Sequence, residues 1–183
     1  MIMRVIAAPL VSIVLVLTAC GTPTVTSTPD SASATPAASA PSAEKAAKVG
    51  STITLQGADE ALKVAVKLSK VLTKPAAANE FSTPQDGHRF YAVELVMKNV
   101  GTGAYSDSPG NGAYVIDSDD QQYSSTIADV KGGKQFPGTV TISAGDSRRG
   151  LVVFEVPKAA KIVKFQFALD SGFADQKGEW TLE

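Results

Sequence analysis

Apolar and polar positions alternate in short runs through the last two-thirds of the chain. Leu62, Val64, Val66 and Leu68 take turns with Lys63, Ala65 and Lys67. Tyr91, Val93, Leu95 and Met97 do so with Ala92, Glu94, Val96 and Lys98, and Val163, Phe165, Phe167 and Leu169 with Lys164, Gln166 and Ala168. A two-residue period puts every second side chain on one face, so each run predicts a strand with one buried face. Residues 151–156 (Leu-Val-Val-Phe-Glu-Val) are almost continuously apolar, as expected of a strand central to a sandwich. Weaker strand patterns occupy 52–55, 113–116, 122–127, 139–142 and 179–182. Turn-forming groups divide them: Asn99-Val100-Gly101, Pro109-Gly110-Asn111-Gly112, Gly132-Gly133, Pro137-Gly138 and Ala144-Gly145-Asp146. No segment has a convincing amphipathic helical period. The pattern predicts an all-β, immunoglobulin-like antiparallel β-sandwich of about 7–9 strands over residues 49–183. The Cys…Trp…Cys hallmark of antibody domains is absent, so the pattern supports the architecture only.

The residues before position 49 follow other rules. Arg4 is followed by an apolar run from Val5 to Leu17, 13 residues long. A helix that crosses a bilayer needs about 20. A positive charge, a short apolar core and small residues read as a signal peptide over 1–19. The run ends Leu17-Thr18-Ala19-Cys20, which resembles the bacterial lipobox. That motif implies cleavage after Ala19 and diacylglyceryl transfer to the Cys20 thiol, with acylation of the new N-terminus open. The expected location is the outer, extracytoplasmic face of the cell membrane, with Cys20 as the lipid anchor. Residues 21–48 are Ala, Ser, Thr or Pro at 22 of 28 positions. Such a stretch buries too little apolar surface to offset the entropy of ordering it, so 20–48 is expected to be a disordered linker. As a coil it would span about 5–6 Å × √28, on the order of 30 Å. Ser42 and Lys45 match a serine acyl-transferase S-x-x-K motif, but the S-D-N and K-T-G elements that complete it are missing.

Charge and composition then narrow the partners. The 17 basic and 18 acidic residues balance to −1, which lacks the electrostatic footprint of a nucleic-acid binder. One Cys and one His leave no internal disulfide, no cysteine-based zinc or iron–sulfur site and no His-rich centre. No cofactor or metal is expected.

Few residues suggest chemistry. Asp117-Ser118-Asp119-Asp120 is the densest acidic cluster, but Gln122 and Ala128 stand where a calcium-binding EF-hand loop needs Gly and Glu. A hairpin turn is the preferred reading, with a weak calcium site left open. His88 lies near Asp86 in a long loop from Pro75 to Arg89, where the pair suggests acid–base chemistry and an exposed loop histidine is the plainer reading. The same loop carries Phe81, an aromatic in a polar setting, and is the first place to look for binding. Arg148 and Arg149 read as a solvated strand start, and Met97 as core.

The segments Gly87-His88-Arg89-Phe90-Tyr91-Ala92-Val93-Glu94-Leu95-Val96-Met97-Lys98-Asn99-Val100-Gly101, Val115-Ile116-Asp117-Ser118-Asp119 with Tyr123, Ile142-Ser143-Ala144-Gly145-Asp146 and Arg149-Gly150-Leu151-Val152-Val153-Phe154-Glu155-Val156-Pro157 carry a resemblance. Together they resemble a bacterial, actinobacterial-type lipoprotein family of unknown function. Its immunoglobulin-like domain is similar to that of the mycobacterial immunoprotective extracellular antigen. The resemblance implies no catalytic residue. Asn99 and Gly101 are residue types that can take the positive φ needed to turn the chain out of a strand.

The leading expectation is a non-enzymatic, lipid-anchored binding or interaction domain. Its ligand is not identified, and an envelope protein or glycan is the partner left open. The alternatives are an envelope hydrolase or transferase using loop carboxylates such as Glu80 and Asp86, and a purely structural or antigenic surface domain.

Overall fold

The computed structural model describes residues 47–182; the Cys20 motif and nearly all of the linker lie outside them. Eleven strands follow one another among the described residues: β1 (Ala47–Lys48), β2 (Thr52–Gln56), β3 (Lys63–Leu72), β4 (His88–Asn99), β5 (Tyr105–Asp107), β6 (Ala113–Asp117), β7 (Gln122–Thr126), β8 (Val140–Ile142), β9 (Ser147–Pro157), β10 (Ile162–Ala168) and β11 (Lys177–Thr181). The only helical element among the described residues is one 3₁₀ turn, Asp170–Gly172. Nine of the strands answer to the nine sequence patterns. The other two are β1 (Ala-Lys) and β5 (Tyr-Ser-Asp), each with a single apolar side chain and so no alternation to show. The first strand begins at Ala47, two residues before the 49–183 boundary drawn from composition.

The strands form two layers, β1-β11-β10-β6 and β9-β4-β3-β2. β7 joins them, pairing with β6 through Tyr114–Ser124 and with β9 through Ser125–Phe154 and Thr126–Val153. Pairing is antiparallel throughout except between β1 and β11, which run parallel. β5 and β8 make a separate small ribbon. The fold is thus the all-β sandwich that the alternation predicts.

The inward faces meet in one core. Val115, Phe165, Phe167 and Trp180 come from one layer, and Leu55, Val66, Leu95, Met97 and Phe154 from the other. Phe165 is its hub. Phe154 meets it edge-on at 6.4 Å and 73°, and Trp180 lies 5.5 Å away, geometries that aromatic quadrupoles favour. The Trp180 indole Nε1–H donates to the Ser51 carbonyl at 3.2 Å. That bond brings β11 to the start of β2, on the side of the sandwich away from β7.

β4 and β9 are buried on both faces. Their inward residues join the main core, while Phe90, Ala92, Leu151 and Val153 point the other way into a second cluster with Ala128 and Val130. This explains why 151–156 reads as continuously apolar, and why Ala92 opposes the inward run in β4.

Asn99 and Gly101 do not take positive φ. The non-glycine residues that do are Asp120, Asp170 and Ser171, and the glycines are Gly50, Gly87, Gly132, Gly145 and Gly172. Gly101 is required for a different reason. A Cβ there would overlap the Ala61 carbonyl oxygen and crowd the Lys63 nitrogen, because Gly101 N–H packs in to donate to Lys63 O at 3.0 Å. Asn99 is fully buried, and its role is to pair polar groups, not to bend the chain.

Candidate functional site

The long loop between β3 and β4 does not hang free. It folds back over the outer face of β4 and β9 and is stitched to the segment that follows β7. Ala78 N–H donates to Asp129 O at 2.8 Å, and Lys131 N–H to Ala76 O at 2.8 Å. Asn79 Nδ2 reaches Asp129 Oδ2 at 3.0 Å, while its Oδ1 accepts from the Phe81 and Ser82 amides. Two polar segments with little regular structure are thereby held over the second apolar cluster. Phe81 is 90% exposed at the tip and Ile127 99% exposed on the companion segment, so neither contributes to that cluster.

Where this loop returns to β4, the end of the sandwich opens into a groove of about 460 Å³. Pro75, Ala77, Pro84 and Phe90 give it apolar walls, and Lys74, Asp86, His88, Arg89 and Lys158 give it polar ones. Two hydrogen bonds fix the far wall. Gln85 N–H donates to Glu155 Oε1 at 2.6 Å, and Lys158 N–H to Gly87 O at 2.9 Å. Arg89 also lines the groove. Its Nη1 donates to Thr73 O at 2.6 Å and its Nη2 to Ala160 O at 2.8 Å, tying the end of β3 to the turn after β9. Its Nε is closed off from solvent without an acceptor. The guanidinium carbon lies 5.5 Å from the centre of the Tyr91 ring, a cation–π separation. Burial pushes the Tyr91 phenol up to about 12, against the pull of Arg89, so it stays neutral at physiological pH.

The other residues singled out by sequence fall into separate places. His88 Nδ1 lies 3.2 Å from the carbonyl oxygen of Asp86, not from its carboxylate, so the pair is not an oriented acid–base couple. Glu80 and Asp86 are both exposed, and of the two Asp86 alone lines the groove. Arg148 and Arg149 are exposed at the start of β9, Arg149 meeting Glu94 only at 4.0 Å, and Met97 is fully buried. Leu17, Thr18, Ala19, Cys20, Ser42 and Lys45 lie outside the described residues. A second cavity, about 330 Å³, lies between the segments around Ser108 and Phe136, with Ile127 on its wall; nothing in the sequence pointed to it.

The acidic cluster is a turn. Asp117 Oδ1 accepts from the Asp119 and Gln121 amides, both at 2.9 Å, and Oδ2 from the Tyr123 hydroxyl at 2.7 Å. Asp120 supplies the positive φ that closes it. Among the described residues no group of three or more His, Cys, Asp or Glu side chains is arranged to hold a metal ion. The Tyr123 hydrogen bond, seconded by the two amides against a smaller cost of burial, holds the Asp117 carboxyl below its usual 3.8. Tyr123 is raised in return to about 12. The unfolded chain therefore takes up the proton first, and stability present above about pH 4 is lost as pH falls through the folded value. Tyr123→Phe returns the Asp117 pKa toward 3.8. The expected result is lower stability than wild type at neutral pH and a gap that closes in acid, read by urea denaturation at both ends. A gap independent of pH would show that the bond to Asp117 is not its source.

The sequence signature of a domain of unknown function, DUF4352, matches residues 57–178, from the turn after β2 into β11. The chain belongs to the DUF4352 family. No curated protein matches it by sequence. Among solved structures, this DUF4352 domain is similar to MPT63, a secreted protein of Mycobacterium tuberculosis. The TM-score is 0.53 at 14% identity, covering 75% of this chain and 95% of that one. It is also similar to ycdA of Bacillus subtilis, provisionally described as a lipoprotein, with TM-score 0.55, 16% identity and 75% of this chain covered. The match spans only 39% of ycdA. A third likeness is yjhA of Bacillus subtilis, at TM-score 0.53, 15% identity, 75% of this chain and 99% of that one. At such identities the likeness shows the shared sandwich and nothing more.

Proposed function

We propose that this DUF4352 protein is a lipid-anchored extracytoplasmic lipoprotein whose sandwich is a non-catalytic binding module, tethered through residues 21–48 to a diacylglyceryl-modified Cys20. The observation that carries the reading is the position of the sole cysteine, directly after Leu17-Thr18-Ala19 at the end of a short apolar run. Each buried methylene of an acyl chain contributes about 0.8 kcal/mol, so two chains or more anchor stably where one does not. The secreted and lipoprotein descriptions of the similar structures agree with an envelope location. Loops braced on a rigid sandwich are a common seat of recognition, and the loop between β3 and β4 is braced in this way.

Cys20→Ser tests the anchor. The wild-type protein is expected in the detergent phase with the added mass of a diacylglyceryl group. The variant is expected in the aqueous phase, or as an uncleaved precursor. Unchanged detergent partitioning together with unchanged mass would overturn the reading.

A further inference from the structure

The groove at the β3–β4 end carries more positive charge than its surroundings answer. Lys74, Arg89 and Lys158 line it, with Asp86 the single acidic residue in the lining. Among the described residues none of these three cations forms an ion pair. Arg89 is half-buried and is met only by two carbonyl oxygens and the face of the neutral Tyr91. Carbonyl dipoles and a ring face solvate a guanidinium without cancelling its charge. Glu155, across the ladder from Phe90, already has its Oε1 engaged by the Gln85 amide. A charge held this way in a concave site is a standing attraction for an anion, and cations on low-dielectric walls reinforce one another there. The volume, about 460 Å³, lies in the range of roughly 300–1,000 Å³ usual for small-ligand sites. The apolar wall of Pro75, Ala77, Pro84 and Phe90 gives room for a ring or short hydrocarbon beside the charged head.

We propose that this groove binds a small organic anion, an oxyanion head (carboxylate or phosphate monoester) on an apolar body, with Lys74, Lys158 and the Arg89 edge receiving the head and Pro75 and Pro84 the body. The inference rests on the binding-module reading and deepens it by naming a ligand class. It does not depend on the anchor: a failed Cys20→Ser test leaves it standing, and its own failure leaves the anchor reading intact.

The test is calorimetric titration of the full-length protein, purified in a neutral detergent from whichever fraction holds it, with phenyl phosphate, benzoate and the uncharged benzyl alcohol. Saturable binding of one or both anions is expected, without binding of benzyl alcohol, and it weakens as salt shortens the Debye length. Arg89 also braces Thr73 and Ala160, so the lysines are the residues to change. Lys74→Gln with Lys158→Gln is expected to weaken binding by about tenfold or more for each charge-assisted hydrogen bond removed. Lys164→Gln, a change in the pair with Glu179 on the other layer, leaves it unchanged. Phosphate over benzoate, or the reverse, assigns the head. Competition by a soluble short-chain phosphatidic acid, itself a phosphate monoester, assigns it to a lipid headgroup, and the lack of competition to a free anion. No saturable binding of either anion, equal binding of benzyl alcohol, or unchanged affinity in the double lysine variant would overturn the proposal.

Discussion

Trp180→Ala is expected to cost about 3–5 kcal/mol, the range for removing a buried large aromatic. Domains of this size hold roughly 5–15 kcal/mol in total, so the variant should melt on the order of 10–20 °C lower or fail to fold at expression temperature. Three links converge on this side chain. It is fully buried; its ring lies 5.5 Å from that of Phe165, which in turn meets Phe154 of the opposite layer; and its indole N–H reaches Ser51 O at 3.2 Å. A Cβ on Gly178 would lie at 2.9 Å from the same ring, so the backbone packs against the indole and a cavity there has little freedom to collapse. Trp180→Phe keeps much of the volume while losing the hydrogen bond and part of the ring, and should cost markedly less, about 1–2 kcal/mol. Because Trp180 is the only tryptophan, the comparison is made by circular dichroism in urea and not by fluorescence. A loss below about 1 kcal/mol for Trp180→Ala would mean that the two layers are not closed through this residue.

Much of this core is legible in the sequence, since inward and outward positions differ in chemistry wherever one face meets water. Leu95 and Met97 against Glu94 and Lys98 leave no doubt about the face of β4, and the register of the sheet follows from it. The pattern weakens where both faces are covered. At Phe90-Tyr91-Ala92-Val93 every side chain is apolar or amphipathic, and only the folded loop beyond β3 reveals that Phe90 and Ala92 have their own cluster. The groove is less legible still. Lys74 and Lys158 are far apart along the chain, and nothing in the local sequence of either marks it as a neighbour of Arg89. Short-range polar chemistry was better placed: Asp117 and Tyr123 stand six residues apart, near enough for a turn to be read from composition. Asn99 shows the opposite failure. Its residue type and its place before Gly101 suggest a turn former, whereas its partners, Gly103 and Ile142, include one that only the tertiary fold brings near.

Asn99 therefore gives the other large effect. Its Nδ2 donates to the carbonyl oxygens of Gly103 at 2.7 Å and Ile142 at 2.9 Å, and its Oδ1 accepts from Gly101 N–H at 3.0 Å. One side chain so joins the end of β4 to the following turn and to β8, the ribbon strand that brings Ile142 into the core. Gly101 N–H keeps a second acceptor in Lys63 O, but the two carbonyls lose their side-chain donor in Asn99→Ala. A buried polar group left unpaired costs about 1–3 kcal/mol, so the variant is expected to lose roughly 3–5 kcal/mol once the cavity is included. Asn99→Asp separates hydrogen bonding from packing, because it preserves shape, replaces two donated hydrogens with acceptors, and buries a charge facing two carbonyls. At neutral pH it should be at least as damaging as Asn99→Ala. The introduced carboxyl has its folded pKa raised by burial and by those carbonyls, so the folded state binds the proton more tightly than the unfolded chain. The penalty is then full above the folded value and is relieved as pH falls toward the unfolded value near about 3.9. This is opposite in sign to the acid sensitivity set by Asp117. Urea denaturation of wild type, Asn99→Ala and Asn99→Asp at neutral and mildly acidic pH reads it directly: the gap for Asn99→Asp narrows in acid while that for Asn99→Ala holds steady. Equal, pH-independent losses in the two variants would show that packing, and not the pairing of the Gly103 and Ile142 carbonyls, is what Asn99 supplies.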